Sequence, residues 1–303
     1  MTIQRYQNLP DASPRDHTWA AVRQLMRETK LLQRSIDPKT ITWDHSAGLA
    51  DRLAKTAGDY IVWLGHATYL LQLNDVGILI DPFFSDYASP IQGFGPKRVV
   101  PPALTIDALP DIQLVLITHN HYDHLDKCSI KALEKRFSPL MVVPEGLANT
   151  LKKWGVHNTH ELGWQEAITF NQIKVTALPA YHYSRRGLFD MNRSWWCSFA
   201  IEYDELTLFH SGDTGYGKCF RDIGQKFGRF DYAMIGIGAY TPPSMMKAVH
   251  LTPEEAVQLA LDINAKTLLP MHWGTIPLTP EPFAEPLERV LKMPAVQQND
   301  IDI

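Results

Sequence analysis

From Asp59 to Leu269, short apolar runs of β character alternate with stretches of helical periodicity, separated by Pro, Gly, Asn and Asp. This is the pattern of a layered α/β or α+β domain. The runs at 60–64, 69–73, 77–80, 114–118, 140–143, 173–178, 197–202, 206–209, 233–237 and 267–269 read as strands. Helices are expected at 129–137, 146–154, 218–227 and 252–264. The last begins with Thr252-Pro-Glu-Glu255, a capping box with proline at the first helical position. Residues 1–57 read differently. Trp19, Val22, Leu25, Met26 and Leu32 recur at near-helical spacing between polar residues, giving an amphipathic helix. We expect a helical extension over 1–57, packed on a main domain over 58–303, with association of that helix with lipid as the alternative. No period of 20 to 50 residues recurs, which argues against a solenoid or propeller.

Composition narrows the class. The chain has 303 residues, 45% of them hydrophobic, and 33 acidic against 29 basic side chains for a net charge of −4. That length and apolar content support a large core and exclude disorder. The acidic balance excludes nucleic-acid binding driven by net charge. No apolar run approaches the roughly 20 residues that cross a bilayer, and the charged N-terminus has no apolar stretch behind it, unlike a secretory signal. Cys128, Cys197 and Cys219 are the three cysteines. Without C-x-x-C spacing they point to a reducing, cytoplasmic setting, where contact with a membrane would be peripheral.

The chemistry concentrates in Thr118-His119-Asn120-His121-Tyr122-Asp123-His124-Leu125-Asp126, directly after the apolar run 114–117. Four metal-competent side chains in six residues read as a ligand loop rather than a set of solvated histidines. His119 and His121, two apart in extended chain, point the same way, while Asp123 and His124 lie where the chain turns into a helix. One loop can therefore serve two ions, provided other strand ends supply more ligands. His182 follows the run 173–178, Asp213 follows 206–209 in His210-Ser-Gly-Asp213, and His272 follows 267–269. Strands sharing an orientation would bring these to one sheet edge, where open α/β sheets place their sites.

These motifs, with Trp63-Leu-Gly-His-Ala-Thr-Tyr-Leu-Leu-Gln72, Gly212-Asp-Thr-Gly-Tyr216, Ile237-Gly-Ala-Tyr240 and His250-Leu-Thr-Pro-Glu-Glu-Ala-Val257 through His272-Trp-Gly-Thr275, resemble the metallo-β-lactamase fold, a four-layer αββα sandwich of metal-dependent hydrolases. Within it the chain resembles the N-acylphosphatidylethanolamine-hydrolysing phospholipase D branch, over approximately residues 60 to 280. The His-x-His-x-Asp-His element identifies the superfamily only; Gly-Ala-Tyr and His-x-x-Pro-Glu-Glu-Ala-Val select the branch. The resemblance implies that His119, His121 and His182 hold one ion, that Asp123, His124 and His272 hold the other, and that Asp213 bridges them. A thiolate-free shell favours Zn2+, with Mn2+ and Fe2+ as alternatives.

Two divalent ions sharing a water lower its pKa from about 15.7 towards about 7 and can also bind the oxygens of a phosphodiester. The expectation is therefore a phosphodiesterase of phospholipase D type acting on N-acylphosphatidylethanolamine-like glycerophospholipids. A lactone or sugar-phosphate hydrolase of the same fold is the alternative enzyme, and a structural metal-binding module the alternative outside catalysis. Asp123, Asp213 and His250 form the candidate catalytic set, with His250 placed to bind phosphate or protonate a leaving oxygen. His66, Tyr240, Arg193, Trp195 and Met245 are candidate substrate contacts. Arg185 and Arg186, beside Arg193, either hold a substrate phosphate or form a solvated basic loop, the latter slightly favoured. Phe83, Phe84, Tyr87, Leu188, Phe189, Trp196 and Met246 would join Trp195 and Met245 in an acyl groove, or else pack in the core or at a homodimer contact.

Overall fold

The computed structural model describes residues 5–14, 18–37 and 47–303. Parts of the N-terminal extension, at 1–4, 15–17 and 38–46, lie outside the described residues. The chain forms two compact units, one of residues 1–6, 37–163 and 184–195, the other of 7–36, 164–183 and 196–303. Helix α1 (Trp19–Ser35) belongs to the second unit. The first unit contains α2 (Leu49–Lys55), β1 (Tyr60–Gly65), β2 (Thr68–Leu73), β3 (Val76–Ile80), β4 (Leu114–Leu116), α3 (Lys127–Phe137), β5 (Leu140–Pro144), α4 (Ala148–Lys153) and β6 (Thr159–Leu162). The second continues with β7 (Ala167–Phe170), β8 (Ile173–Leu178), β9 (Ser198–Tyr203), β10 (Leu206–His210), α5 (Cys219–Phe227), β11 (Phe230–Gly236), α6 (Pro243–Met246), α7 (Pro253–Asp262), β12 (Ala265–Met271), α8 (Glu285–Leu291) and α9 (Pro294–Gln297).

The first sheet has the order β1-β2-β3-β4-β5-β6. Strands β1 to β3 form an antiparallel meander and β3 to β6 run parallel. The apolar runs are continuous rather than alternating in β3 and β4, and every residue of both is buried, as parallel strands require when both faces leave solvent. One face packs Leu79, Val115, Ile117, Met141 and Val143 against Ile130 and Leu133 of α3 and Leu151 of α4. Because β3 and β4 are parallel, with Ile80 opposite Leu116, both strands end at the same edge. Asp81 and the segment 118–126 therefore leave the sheet side by side.

The second sheet has the order β12-β11-β10-β9-β8-β7. Strands β10, β11 and β12 are parallel to one another, and β9 is antiparallel to both β10 and β8. The chain thus leaves β8, β10, β11 and β12 at one edge, which carries 179–182, 211–213, 237–239 and 272 out together.

Every run read as a strand is one, with ends shifted by up to three residues. Strands β6 and β7 went unread because both are sheet edges, and their half-exposed residues give no continuous apolar signal. The helix expected at 146–154 is shorter, since the Gly146 and Ala148 N–H groups donate to Glu161 Oε1 at 2.9 and 2.7 Å in place of a helical start. Helix α3 begins earlier than expected, capped by Asp126, which accepts from the Cys128 N–H. Helix α1 is present, but Trp19 and Met26 lie outward.

The capping box of α7 is complete. Glu255 N–H donates to Thr252 Oγ1 at 3.2 Å, and the Thr252 N–H donates to Glu255 Oε2 at 3.0 Å. Thr252→Ala should cost about 1 kcal/mol through loss of the cap. For a domain of this size that lowers the melting temperature by about 2–4 °C, while Thr252→Ser restores most of it. Calorimetry showing no difference between the alanine variant and the parent would refute this.

Candidate metal centre

In the first unit the His-rich loop is built around a buried carboxylate that sequence motifs do not mark. Asp81 accepts from the Thr118 N–H at 2.8 Å, the Thr118 hydroxyl at 2.6 Å and His124 Nδ1 at 2.7 Å. Both the Asp81 and the His124 side chains are fully buried. Since the single Thr118 hydroxyl proton goes to Asp81, His119 Nδ1, 3.0 Å from Thr118 Oγ1, must be the donor of that pair. A neutral His119 then presents a lone pair at Nε2, which lies 2.9 Å from His121 Nδ1. Two such nitrogens either share a proton or face one cation. Asp123 Oδ2 lies 2.9 Å from His66 Nε2 and 3.5 Å from His124 Nε2. Ligand atoms of Asp81, His119 and His124 can be chosen within 4.8 Å of one another.

The loop is clamped from below by Arg186, which was expected to be either solvated or free for a phosphate and is neither. Its Nη1 donates to the carbonyls of Asn120 and Leu125 at 2.8 and 2.6 Å, and its guanidinium lies 4.0 Å from the Tyr122 ring centroid. Burial lowers its pKa, the opposite of what carboxylates nearby would do alone.

In the second unit Asp213 is the hub. One of its oxygens lies 3.3 Å from His272 Nε2, and the other lies 3.8 Å from His182 Nε2 and 3.9 Å from His250 Nδ1. Ligand atoms of Asp213, His250 and His272 fall within 4.8 Å of one another. His182 is held by its Nδ1, 2.9 Å from the Val249 carbonyl. A carbonyl only accepts, so Nδ1 carries the proton and Nε2 turns to Asp213. Asn8 grips the His182 backbone from both sides, donating to its carbonyl at 2.8 Å and accepting from its N–H at 3.1 Å. The backbone at Gly238 passes so close to His272 that an added Cβ would meet the His272 carbonyl oxygen at 2.1 Å, and any larger residue there would displace the ligand-bearing turn. Glu281 fixes the next residue, accepting the Ala239 N–H at 2.6 Å. Asp213, His250, His272 and Gly212 line a small recess.

The donor sets of both units are imidazole and carboxylate without thiolate, a composition that fits a borderline or hard divalent ion. Cys197 and Cys219 are buried elsewhere and Cys128 is exposed on α3.

Residues 77–273 match the family model described as Beta-lactamase superfamily domain. The chain belongs to that superfamily. It is 34% identical over 281 residues to the N-acyl-phosphatidylethanolamine-hydrolyzing phospholipase D 1 of Caenorhabditis elegans, covering 89% of this chain and 77% of that one. It is 39% identical over 249 residues to an uncharacterized protein of Mycobacterium tuberculosis, covering 80% of this chain and 64% of the relative's length. The fold is shared with a metallo hydrolase from Ignicoccus hospitalis at TM-score 0.59 and 20% identity, covering 77% of this chain and 90% of that one. The chain thus has the metallo-β-lactamase fold.

Within this β-lactamase superfamily member each substrate candidate has its own surroundings. His66 reaches Asp123, as above. Tyr240 is buried and its hydroxyl donates to Glu285 Oε1 at 2.9 Å under the Arg289 guanidinium, which ties it to α8. Arg193 is exposed, Trp195 is half-buried against the Tyr6 ring at 4.8 Å, and Met245 is half-buried on α6. Of the proposed groove, Phe83 and Trp196 are core residues, the latter donating from Nε1 to the Ala180 carbonyl at 2.8 Å. Leu188 and Phe189 are almost fully exposed. Sequence reasoning missed Asp81, Asn8, Glu281 and the role of Arg186.

Asp81→Asn would leave an amide facing donors that need a carboxylate. Metal affinity should fall by about 10- to 100-fold, read by competition with a chromogenic chelator. An unchanged affinity would mean that Asp81 does not orient the loop.

Proposed function

We propose that the protein is a dinuclear metal-dependent phosphodiesterase of phospholipase D type, cleaving N-acylphosphatidylethanolamine-like glycerophospholipids to a phosphatidic acid and an N-acylethanolamine. The observation that carries this reading is the arrangement of Asp213 among three imidazoles, together with the His119–His121 pair. The name of the Caenorhabditis elegans relative supports the choice of substrate.

In this reading His119, His121 and His182 would hold one ion and Asp123, His124 and His272 the other, with Asp213 available to both and zinc as the favoured metal. Such ions, when bound, supply Lewis acidity towards a phosphoryl oxygen and acidify water. The protein's own part is positioning. Asp81 and Thr118 set the ring orientations of His124 and His119, the Val249 carbonyl sets His182, and His66 anchors Asp123. His250, half-exposed beside Asp213, is assigned to the leaving-group oxygen. Arg193, Trp195 and Met245 are assigned to the substrate. The described residues contain no helix long and apolar enough to cross a membrane.

The test is metal analysis coupled to turnover of a panel of phospholipids, small water-soluble phosphodiesters and lactones. We expect turnover of N-acylphosphatidylethanolamine, rising with acyl length, on loading with Zn2+ or Mn2+. His121→Ala should lose more than about a hundredfold in kcat/KM while its circular dichroism stays that of the parent. Preferential lactone turnover would replace the substrate; a metal-free, folded and inert protein would remove the mechanism.

A further inference from the structure

The positive charge that the chain as a whole lacks is concentrated on α1. This helix carries Arg23, Arg27, Lys30 and Arg34 against the single carboxylate of Glu28, in a protein whose net charge is −4. Thr29 is its one buried residue, and Val22, Leu25 and Leu32 are half-buried on the same side. At 3.6 residues per turn, positions 19, 23, 26, 30 and 34 follow one another along a single ridge at the shoulder of that stripe. The ridge therefore reads Trp19, Arg23, Met26, Lys30, Arg34, with Arg27 beside it. Trp19 and Met26 are 79% and 68% exposed, and all four cations are exposed. Among the described residues none of the four pairs with a carboxylate. Glu28 lies on the opposite side, accepting from Gln24 Nε2 at 2.8 Å.

We propose that this ridge docks the protein on an anionic phospholipid surface, with α1 lying in the plane of the interface. Two large apolar side chains interleaved with three cations match the chemistry of that boundary. Indole and thioether enter the headgroup and acyl layer while the guanidinium and ammonium groups remain at the phosphates. A nucleic acid would engage the cations but leave Met26 without a partner, and an acidic protein surface would not call for a tryptophan at the helix end. The position of the helix gives docking a consequence. It follows in sequence the segment in which Asn8 grips the His182 backbone and Asp11 accepts from the Tyr181 hydroxyl at 2.9 Å. Anchoring α1 thus anchors the chain next to a loop that bears a candidate metal ligand. The inference does not depend on which bond the enzyme hydrolyses.

The full-length protein is tested by sedimentation with phosphatidylcholine vesicles with and without phosphatidylglycerol. Binding is expected only with phosphatidylglycerol and should weaken as salt rises. The triple variant Arg23→Gln/Lys30→Gln/Arg34→Gln should lose about a hundredfold in vesicle partition. Trp19→Ala/Met26→Ala should bind more weakly at every salt concentration, and both variants should keep the parent's melting temperature. Failure of the parent to bind, equal binding to both vesicle types, or full binding by both variants would overturn the proposal. A parent dimer in ultracentrifugation that the Trp19/Met26 variant loses, without vesicle binding, would also overturn it and assign the ridge to a second copy of this chain.

Discussion

A carboxylate without access to water is tolerable only when its lone pairs are filled, and Asp81 is fully buried with three donors on it. That requirement organises the first unit. The Thr118 hydroxyl cannot donate twice, so satisfying Asp81 fixes the proton of His119 at Nδ1, and the contact with His124 Nδ1 fixes that ring as well. One buried charge thereby settles the orientation of two imidazoles whose Cα atoms lie on a loop. Removing it would leave several buried polar groups to find partners at once, a larger disturbance than the loss of a single hydrogen bond.

The backbone around the donors turns sharply. His66, Asp81, Gly212, Ala239 and His272 all sit at positive φ, at 55°, 43°, 56°, 63° and 60°. Each follows or closes a strand, where the chain must turn sharply to present a side chain at the edge rather than continue outward. Aspartate and histidine enter the left-handed region more readily than most residues, whereas alanine does so at a cost of about 1–2 kcal/mol. Ala239 is kept there by Glu281, which accepts its N–H, and by the close passage of Gly238 over His272. At His66, Asp81 and His272 the left-handed backbone coincides with residues that carry candidate donor atoms.

What the sequence revealed followed from how far each signal extends along the chain. The central strands β3 and β4 are buried on both faces and write themselves as unbroken apolar runs, so they could be read directly. The edge strands β6 and β7, with residues such as His160 and Thr169 half or fully exposed, could not. The ligand loop was legible because its donors are separated by one or two residues. Asp81 lies 37 residues before Thr118, and Asn8 lies 174 residues before His182. Hydrogen bonds over such separations leave no local pattern, since any Asp or Asn at a strand end looks the same until the partner strand is placed. Arg186 was misjudged for a related reason. A run of arginines in a polar loop reads as solvated, and only the fold reveals the three carbonyls turned towards one of them.

The way the rings are held also bears on whether the donors serve folding or chemistry. A structural metal site supplies the free energy that a small core cannot, and its ligands lose their arrangement when the metal is withdrawn. Here each unit has its own sheet and its own buried apolar residues, from Leu49 to Leu162 in the first and from Ile173 to Ile301 in the second. His119, His124 and His182 are oriented by Thr118, Asp81 and the Val249 carbonyl, groups that belong to the protein itself. Rings fixed in advance by hydrogen bonds need no ion to position them. In the proposed reading, such rings lower the reorganisation that would accompany a reaction.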